Sequence, residues 1–137
     1  MVTNGGGGRG IKKVFKEKEL KENLSLARKE AVQSFGNDEV YIEKLIENPR
    51  HIEVQIIGDS FGNVIHVGER ECSIQRRSQK IIEECPSSAI SDEERKRICD
   101  LTIKAFNKVG YKSLGTVEYL YSNGEFYFIE MNTRLQV

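Results

Sequence analysis

The segment EMNTRLQV, residues 130–137, places a polar side chain at every second position: Glu130, Asn132, Arg134 and Gln136. The preceding EFYFI (125–129) reads as a strand, and a strand carries alternating residues onto one face. One face would then present a carboxylate, an amide, a guanidinium and a second amide, a set that is costly to bury without a bound partner. Glu118 follows GTV and also falls in an apolar strand, where an acid is rarely buried alone. Glu118, Glu130 and Asn132 are hard oxygen ligands. Magnesium takes one or two carboxylates and completes its octahedron with waters and substrate phosphates. The plainer alternative is two unrelated exposed acids.

Three further stretches could carry chemistry. In ECSIQRRSQKIIEE (71–84), Arg76, Arg77 and Lys80 cluster with Gln75 and Gln79 and suit a phosphate or small oxyanion, unless they are a solvated basic stretch balanced by Glu83 and Glu84. NGGGGRG (4–10) could bring backbone N–H groups close to an anion, with Arg9 adding charge; the alternative is a flexible linker. No Lys-Ser/Thr pair follows, so it is not a P-loop, and no apolar helix start follows, so it is not a dinucleotide fingerprint. In YIEKLI (41–46), Glu43 and Lys44 could line a nucleotide slot with the strand backbone on a base edge, or could be ordinary solvated charges.

These groups need elements to hold them. EKELKENLSLARKEAVQSF (17–35) has Leu20, Leu24, Ala27, Ala31 and Phe35 on one helical face, with Gly36-Asn37 as its stop. EVYIEKLI (39–46) is expected to be a strand, and NPR (48–50) marks a lobe boundary, giving lobes 1–46 and 47–137. HIEVQII (51–57) alternates Ile52, Val54 and Ile56 against His51, Glu53 and Gln55; after the turn GDSFGN a second strand returns over 64–71. A helix starts at Ser91 with Glu94 as a capping box, buries Ile98, Leu101, Thr102, Ala105 and Val109, and ends at Gly110. GTVEYLYSNGEFYFIEMN (115–132) is a hairpin. The class is α+β, mostly antiparallel sheet with two main helices.

The hairpin register decides whether the acids can meet. A two-residue Asn123-Gly124 turn pairs Ser122 with Glu125 and sends Glu118 and Glu130 to opposite faces. A three-residue loop pairs Tyr121 with Glu125, Val117 with Ile129 and Glu118 with Phe128, which puts both acids on one face. The three-residue loop is therefore expected, with Gly124 at positive φ.

Composition limits the class of function. Lys plus Arg and Asp plus Glu both number 21, so the chain lacks the basic surplus of a general nucleic-acid binder. No apolar run reaches membrane-spanning length, and there is no signal-peptide core. Cys72, Cys85 and Cys99 show no CxxC spacing, which fits free thiols in a reducing compartment. The expected location is cytoplasmic, or the mitochondrial matrix in a eukaryote.

Taken in order, GGGGRG, VYIEKLIENPRHIEVQI, GERECSIQRR, QKIIEECPS, GTVEYLY and EFYFIEMNTRLQV resemble biotin carboxylase, of the ATP-grasp superfamily, over essentially the whole chain. The NTR at 132–134 separates it from carbamoyl-phosphate synthetase, which has Asn-Pro-Arg there. The resemblance implies MgATP (or MnATP) and bicarbonate as reactants, carboxyphosphate as intermediate, and biotin on a carboxyl carrier protein as acceptor. It implies that Gly5, Gly6, Gly7 and Gly8 form a phosphate lid and that Glu43, Lys44 and Ile46 meet adenine. His51 and Gln75 would face ribose and phosphates, and Glu118, Glu130 and Asn132 would hold metal. Lys80, Arg134, Gln136 and Val137 would cradle bicarbonate, with Lys80 and Arg134 catalytic. The parent would be an acetyl-CoA, propionyl-CoA or pyruvate carboxylase, the first serving fatty acid biosynthesis.

The sequence departs from that pattern in four places. A lysine before the lid, a general-base glutamate after Gln136-Val137 and a downstream arginine have no counterpart, and Ser78 stands where the family usually has histidine. The expectation is an internal piece of the enzyme, the latter part of the lid domain and the first half of the next, inactive alone. Competing readings are a nucleotide-binding module without chemistry and a structural domain that self-associates through open sheet edges.

Overall fold

Val54, Ile56, Val64, Val117 and Tyr119 need a common partner surface, and Ile98 and Cys99 of one helix help supply it. The computed structural model describes residues 11–136, so Gly5 to Gly8 and Val137 lie outside the described residues. In chain order the elements are α1 (Glu17–Phe35), β1 (Arg50–Gly58), β2 (Val64–Arg76), β3 (Gln79–Glu84), α2 (Asp92–Lys108), β4 (Ser113–Ser122) and β5 (Glu125–Asn132). The chain divides between Leu45 and Ile46 into two compact units, with Arg77–Gln79 grouped with the first.

The first unit contains α1. It buries Ala27 and Ala31, while Leu20 and Phe35 at the ends of the apolar stripe are 36% and 37% exposed. Gly36 closes it in the left-handed conformation at φ +70°, returning its N–H to Val32 O. Residues 39–46 depart from the expected strand: only a bridge at Val40 forms, and Tyr41 and Ile42 are exposed. Apolar alternation is not sufficient for a strand. A ladder of backbone partners must also be present, and among the described residues this segment forms only the bridge at Val40.

The second unit is one five-stranded sheet in the order β3-β2-β1-β4-β5, with α2 on one face. Strands β2, β4 and β5 run antiparallel to their neighbours β1 and β4. Ile52, Val54 and Ile56 turn to the helix side, where Val54 and Ile56 join Val64, Ile98, Cys99, Val117 and Tyr119 in the core. The capping box at α2 is present: Glu94 N donates to Ser91 Oγ and Ser91 N to Glu94 Oε2. The buried face of α2 is narrower than expected. Ile98, Cys99 and Thr102 are buried, whereas Leu101 and Val109 are 54% and 71% exposed. The stripe is rotated toward Cys99 because Thr102 Oγ1 pairs with Tyr119 OH, and Phe106 packs on the core one turn later.

The β4–β5 turn corrects the expected loop. Ser122 pairs with Glu125 across a two-residue turn, with Asn123 and Gly124 at φ +52° and +82°. This twist matches the strands, which is why Asn-Gly favours it over a longer loop. The shared face is recovered further down. Tyr119 pairs with Phe128, but Glu118 pairs with Glu130, so Ile129 is an extra residue in β5. A bulge of this kind re-aims the side chains that follow it. Gly124 has the expected positive φ; Val117 meets Met131 rather than Ile129.

Candidate functional site

On the sheet face away from α2, β1 presents His51 and Glu53, β2 presents Arg70 and Cys72, and β4 and β5 present Glu118 and Glu130 as a direct cross-strand pair. Glu53 and Glu118 are themselves opposite each other in the β1–β4 ladder. Like charges in that position repel unless a cation intervenes. Lys80 of β3 is that cation. Its Nζ donates to Glu53 Oε2 at 2.5 Å, Glu118 Oε1 at 2.8 Å and Gln136 Oε1 at 3.0 Å. Arg70 Nε donates to the other Glu53 oxygen at 2.7 Å and Arg70 Nη1 to Glu83 Oε2 at 2.5 Å.

Glu53, which is wholly buried, is the residue that sequence reasoning left out of the site. Its signal was present, since HIEVQII puts a carboxylate at the centre of a strand between two apolar neighbours. Burial by itself pushes this carboxyl up; hydrogen bonds and charge from Lys80, then Arg70, outweigh it and hold its pKa below 4.5. Lys80 responds in kind. Burial lowers it, the bonds to Glu118 and Glu53 raise it, and the net shift is upward from 10.5.

His51 is held by two partners. Burial is the largest influence on it and lowers its pKa below 6.5, against the raising effect of Glu118. The ring is therefore neutral at pH 7. Nε2, 2.8 Å from Glu118 Oε2, carries the proton, and Nδ1 accepts from Gln75 Nε2 at 3.1 Å. The structure thus brings His51 and Gln75 together. Asn132 Nδ2 and Gln136 Nε2 also donate to Glu118 Oε1, at 2.9 and 3.0 Å. Glu118 is the hub of the face, buried to 6% exposure.

Other expected members are placed differently. Strand β5 ends at Asn132, so the alternation from Glu130 does not continue on a strand to Arg134 and Gln136. Gln136 returns to the hub through a bend. The Arg134 side chain is exposed and donates to Leu135 O, while its backbone carbonyl accepts from Thr116 Oγ1. Glu43 and Lys44 are exposed residues of the first unit; Ile46, half-buried, begins the second. The basic stretch is a hairpin rather than a patch. Arg77 and Ser78 form its turn at φ +51° and +65°, and β3 then drops Lys80 onto the polar face.

The donor chemistry fits a magnesium ion. Glu130 is exposed directly across from Glu118, and Asn132 spends its amide nitrogen on Glu118, leaving its carbonyl oxygen for a ligand. Two carboxylates and an amide oxygen make a hard site.

A second polar cluster ties the opposite side of β2 to α2. Glu69 Oε1 accepts from Arg95 Nε at 2.6 Å and from Ser87 N at 3.1 Å, and Glu71 Oε2 accepts from Ser87 Oγ at 2.6 Å. Glu71 is held below 4.5: burial raises it, but the Ser87 and Ser73 hydroxyls and Arg50 prevail. Glu53 and Glu71 both bind fewer protons folded than unfolded between their lowered folded values and 4.5. Their stabilisation is complete above pH 4.5 and is lost as pH falls through the folded values. Urea unfolding of the chain is expected to show a constant midpoint from pH 7 to 5 and a falling one below 4.5. Glu71→Gln should flatten part of that fall, and an unchanged slope in the variant would remove Glu71 from the account.

Known proteins resemble this chain over nearly its whole length. The family described as carbamoyl-phosphate synthase L chain, ATP binding domain, matches residues 2–137. The chain is similar to the pyruvate carboxylase of Bacillus subtilis, 57% identical over 133 residues, covering 97% of this chain and 12% of that protein. It is 53% identical over 135 residues to the biotin carboxylase of Allochromatium vinosum, covering 98% of this chain and 30% of that protein. Among solved structures it superposes on the biotin carboxylase domain dimer of Hydrogenobacter thermophilus 2-oxoglutarate carboxylase, determined with MgADP, ADP and bicarbonate. The TM-score is 0.90 at 51% identity, covering 99% of this chain and 30% of that one. The chain thus spans less than a third of the length of each of these relatives.

Proposed function

Because this chain belongs to the carbamoyl-phosphate synthase L chain ATP-binding domain family, and within it to the biotin carboxylases, we propose that it forms the metal and bicarbonate floor of an ATP-dependent carboxylase of biotin. The observation that carries this reading is the Lys80 ammonium fixed between Glu53, Glu118 and Gln136. Such a junction puts a cation for an oxyanion beside carboxylates for a metal. In the reaction a bicarbonate oxygen attacks the γ-phosphorus of ATP, the bond to ADP breaks, and carboxyphosphate forms. The carbon–oxygen bond of carboxyphosphate then breaks to give carbon dioxide and inorganic phosphate, and the carbon dioxide bonds to a biotin nitrogen on a carrier protein, whose proton passes to the released phosphate.

Lys80 and Gln136, joined by Arg134, hold the bicarbonate oxygens in this scheme. Glu118, Glu130 and Asn132 would hold magnesium, which when bound would neutralise charge on the phosphate oxygens. Neutral His51, held by Gln75 and Glu118, serves with Gln75 as the group that meets the ribose and phosphates. Glu43, Lys44 and Ile46 meet adenine, and Gly5 to Gly8, with Val137, complete the phosphate and bicarbonate ends. The three free thiols support a reducing compartment, cytoplasm or mitochondrial matrix.

Glu118 must exchange protein donors for metal, and that exchange costs binding energy. Magnesium–ATP is therefore expected to bind the 137-residue chain in the high micromolar to millimolar range, about 4–6 kcal/mol. Calorimetry should show Glu130→Gln weakening binding while Lys80→Ala matters less without bicarbonate. Nanomolar affinity, or indifference to Glu130→Gln, would contradict the assignment.

A further inference from the structure

Cys72 lies on the polar face, yet the chemistry above gives it no work. It is fully buried on β2, one residue beyond the Ile52–Glu71 pair, and so stands across from His51. The ligand atoms of His51, Glu53 and Cys72 lie within 4.8 Å of one another, and all three residues are buried. One nitrogen, one oxygen and one sulfur donor converge from two adjacent strands.

This donor set differs in kind from the oxygen set at Glu118, Glu130 and Asn132. Thiolate and imidazole select borderline ions such as zinc, whereas magnesium takes oxygen almost alone. Tetrahedral zinc with bonds of about 2.0–2.3 Å holds its ligand atoms roughly 3.4–3.7 Å apart. The trio needs to close by about 1 Å, within the reach of side-chain rotation. Three protein ligands also leave the fourth position for water, as in open zinc sites.

Charge decides what must leave. Glu53 is now neutralised by Arg70 and by the Lys80 ammonium. A divalent ion with one thiolate carries a net charge of about +1, the same as that ammonium. The exchange leaves the buried charge balance unchanged: Lys80, which is partly exposed, swings to solvent still protonated, and the Cys72 proton is released to solvent. Without metal, burial first and then the nearby Glu53 push the thiol up to about 12, so it stays protonated and paired with nothing ionic.

We propose that His51, Glu53 and Cys72 form a latent site for a thiophilic divalent cation, zinc or cobalt, which binds by displacing the Lys80 ammonium. The site does not depend on the carboxylase reading. Its consequence does: with Lys80 withdrawn, the bicarbonate cradle is disabled, so zinc is an inhibitor by displacement and not a cofactor.

Titration of the reduced 137-residue chain with cobalt(II) tests the site without any activity. The expected result is one equivalent bound, with tetrahedral d–d absorption and a sulfur-to-cobalt charge-transfer band. Cys72→Ser should abolish the band, and Cys85→Ser and Cys99→Ser should keep it. Excess magnesium should not displace the ion. His51→Gln leaves the thiol in place and guards against a folding failure of the cysteine variant; it should weaken binding at least about 10-fold. Lys80→Met removes the competitor and should tighten binding. Absence of the charge-transfer band, its survival in Cys72→Ser, its loss in Cys85→Ser, or weaker binding in Lys80→Met would each overturn the proposal. Failure of magnesium–ATP to bind would touch only the carboxylase reading.

Discussion

Glu53→Ala is expected to destabilise the chain by about 3–5 kcal/mol, the cost of leaving buried charges without their partner. Glu53 is wholly buried and is shared by Arg70 and Lys80, whose side chains are 18% and 16% exposed. Removing the carboxylate leaves Lys80 with Glu118 and Arg70 with Glu83, and takes away the buried group that each of them shares. For a chain of this size the loss corresponds to a melting temperature lower by about 10–15 °C. The pair is costly to break but need not be a net source of stability. Replacing Glu53, Arg70 and Lys80 together by methionine should recover only part of the loss, because buried Glu118 then keeps its hydrogen bonds from Asn132 and Gln136 but loses the Lys80 ammonium. Thermal unfolding of the single and triple variants reads both statements. A single variant within about 1 kcal/mol of the parent would mean that water reaches the cluster.

Gly58→Ala should be comparably severe for a steric reason. A Cβ at Gly58 would lie 2.2 Å from the carbonyl oxygen of Tyr111 and 2.9 Å from its carbon. Both are backbone atoms, and Gly58 is tied on one side to Val64 of β2 and on the other to Ser113 of β4. Relief requires moving one of three paired segments, with a cost of about 3 kcal/mol or more. Gly124→Ala is the control. Nothing lies within 4 Å of its Cβ position, so only its φ of +82° is penalised, at about 1 kcal/mol. Denaturant midpoints should rank Gly58→Ala well below Gly124→Ala. Equal midpoints would show that the β1–β4 junction yields more easily than its ladder implies.

The amino-acid order alone determined the family, the class of fold, and most of the strands and both helices. These follow from local physics: the two-residue period of HIEVQII, the Ser91–Glu94 box, Gly36 after α1, and motifs whose residues lie close in sequence. The same order suggested a strand over 39–46, a loop of three residues at Asn123-Gly124, and one continuous face from Glu130 to Gln136. Only the tertiary structure decided otherwise, because each of these depends on a partner remote in sequence. A strand requires a ladder, and residues 39–46 show one bridge. Register is the sum of a turn and every bulge below it, and the Ile129 bulge restored the pairing of Glu118 with Glu130 that the two-residue turn had taken away. The union of Glu53 with Lys80 likewise joins residues 27 apart through the β2–β3 hairpin. Their chemistry is written locally, but their meeting is a property of the sheet.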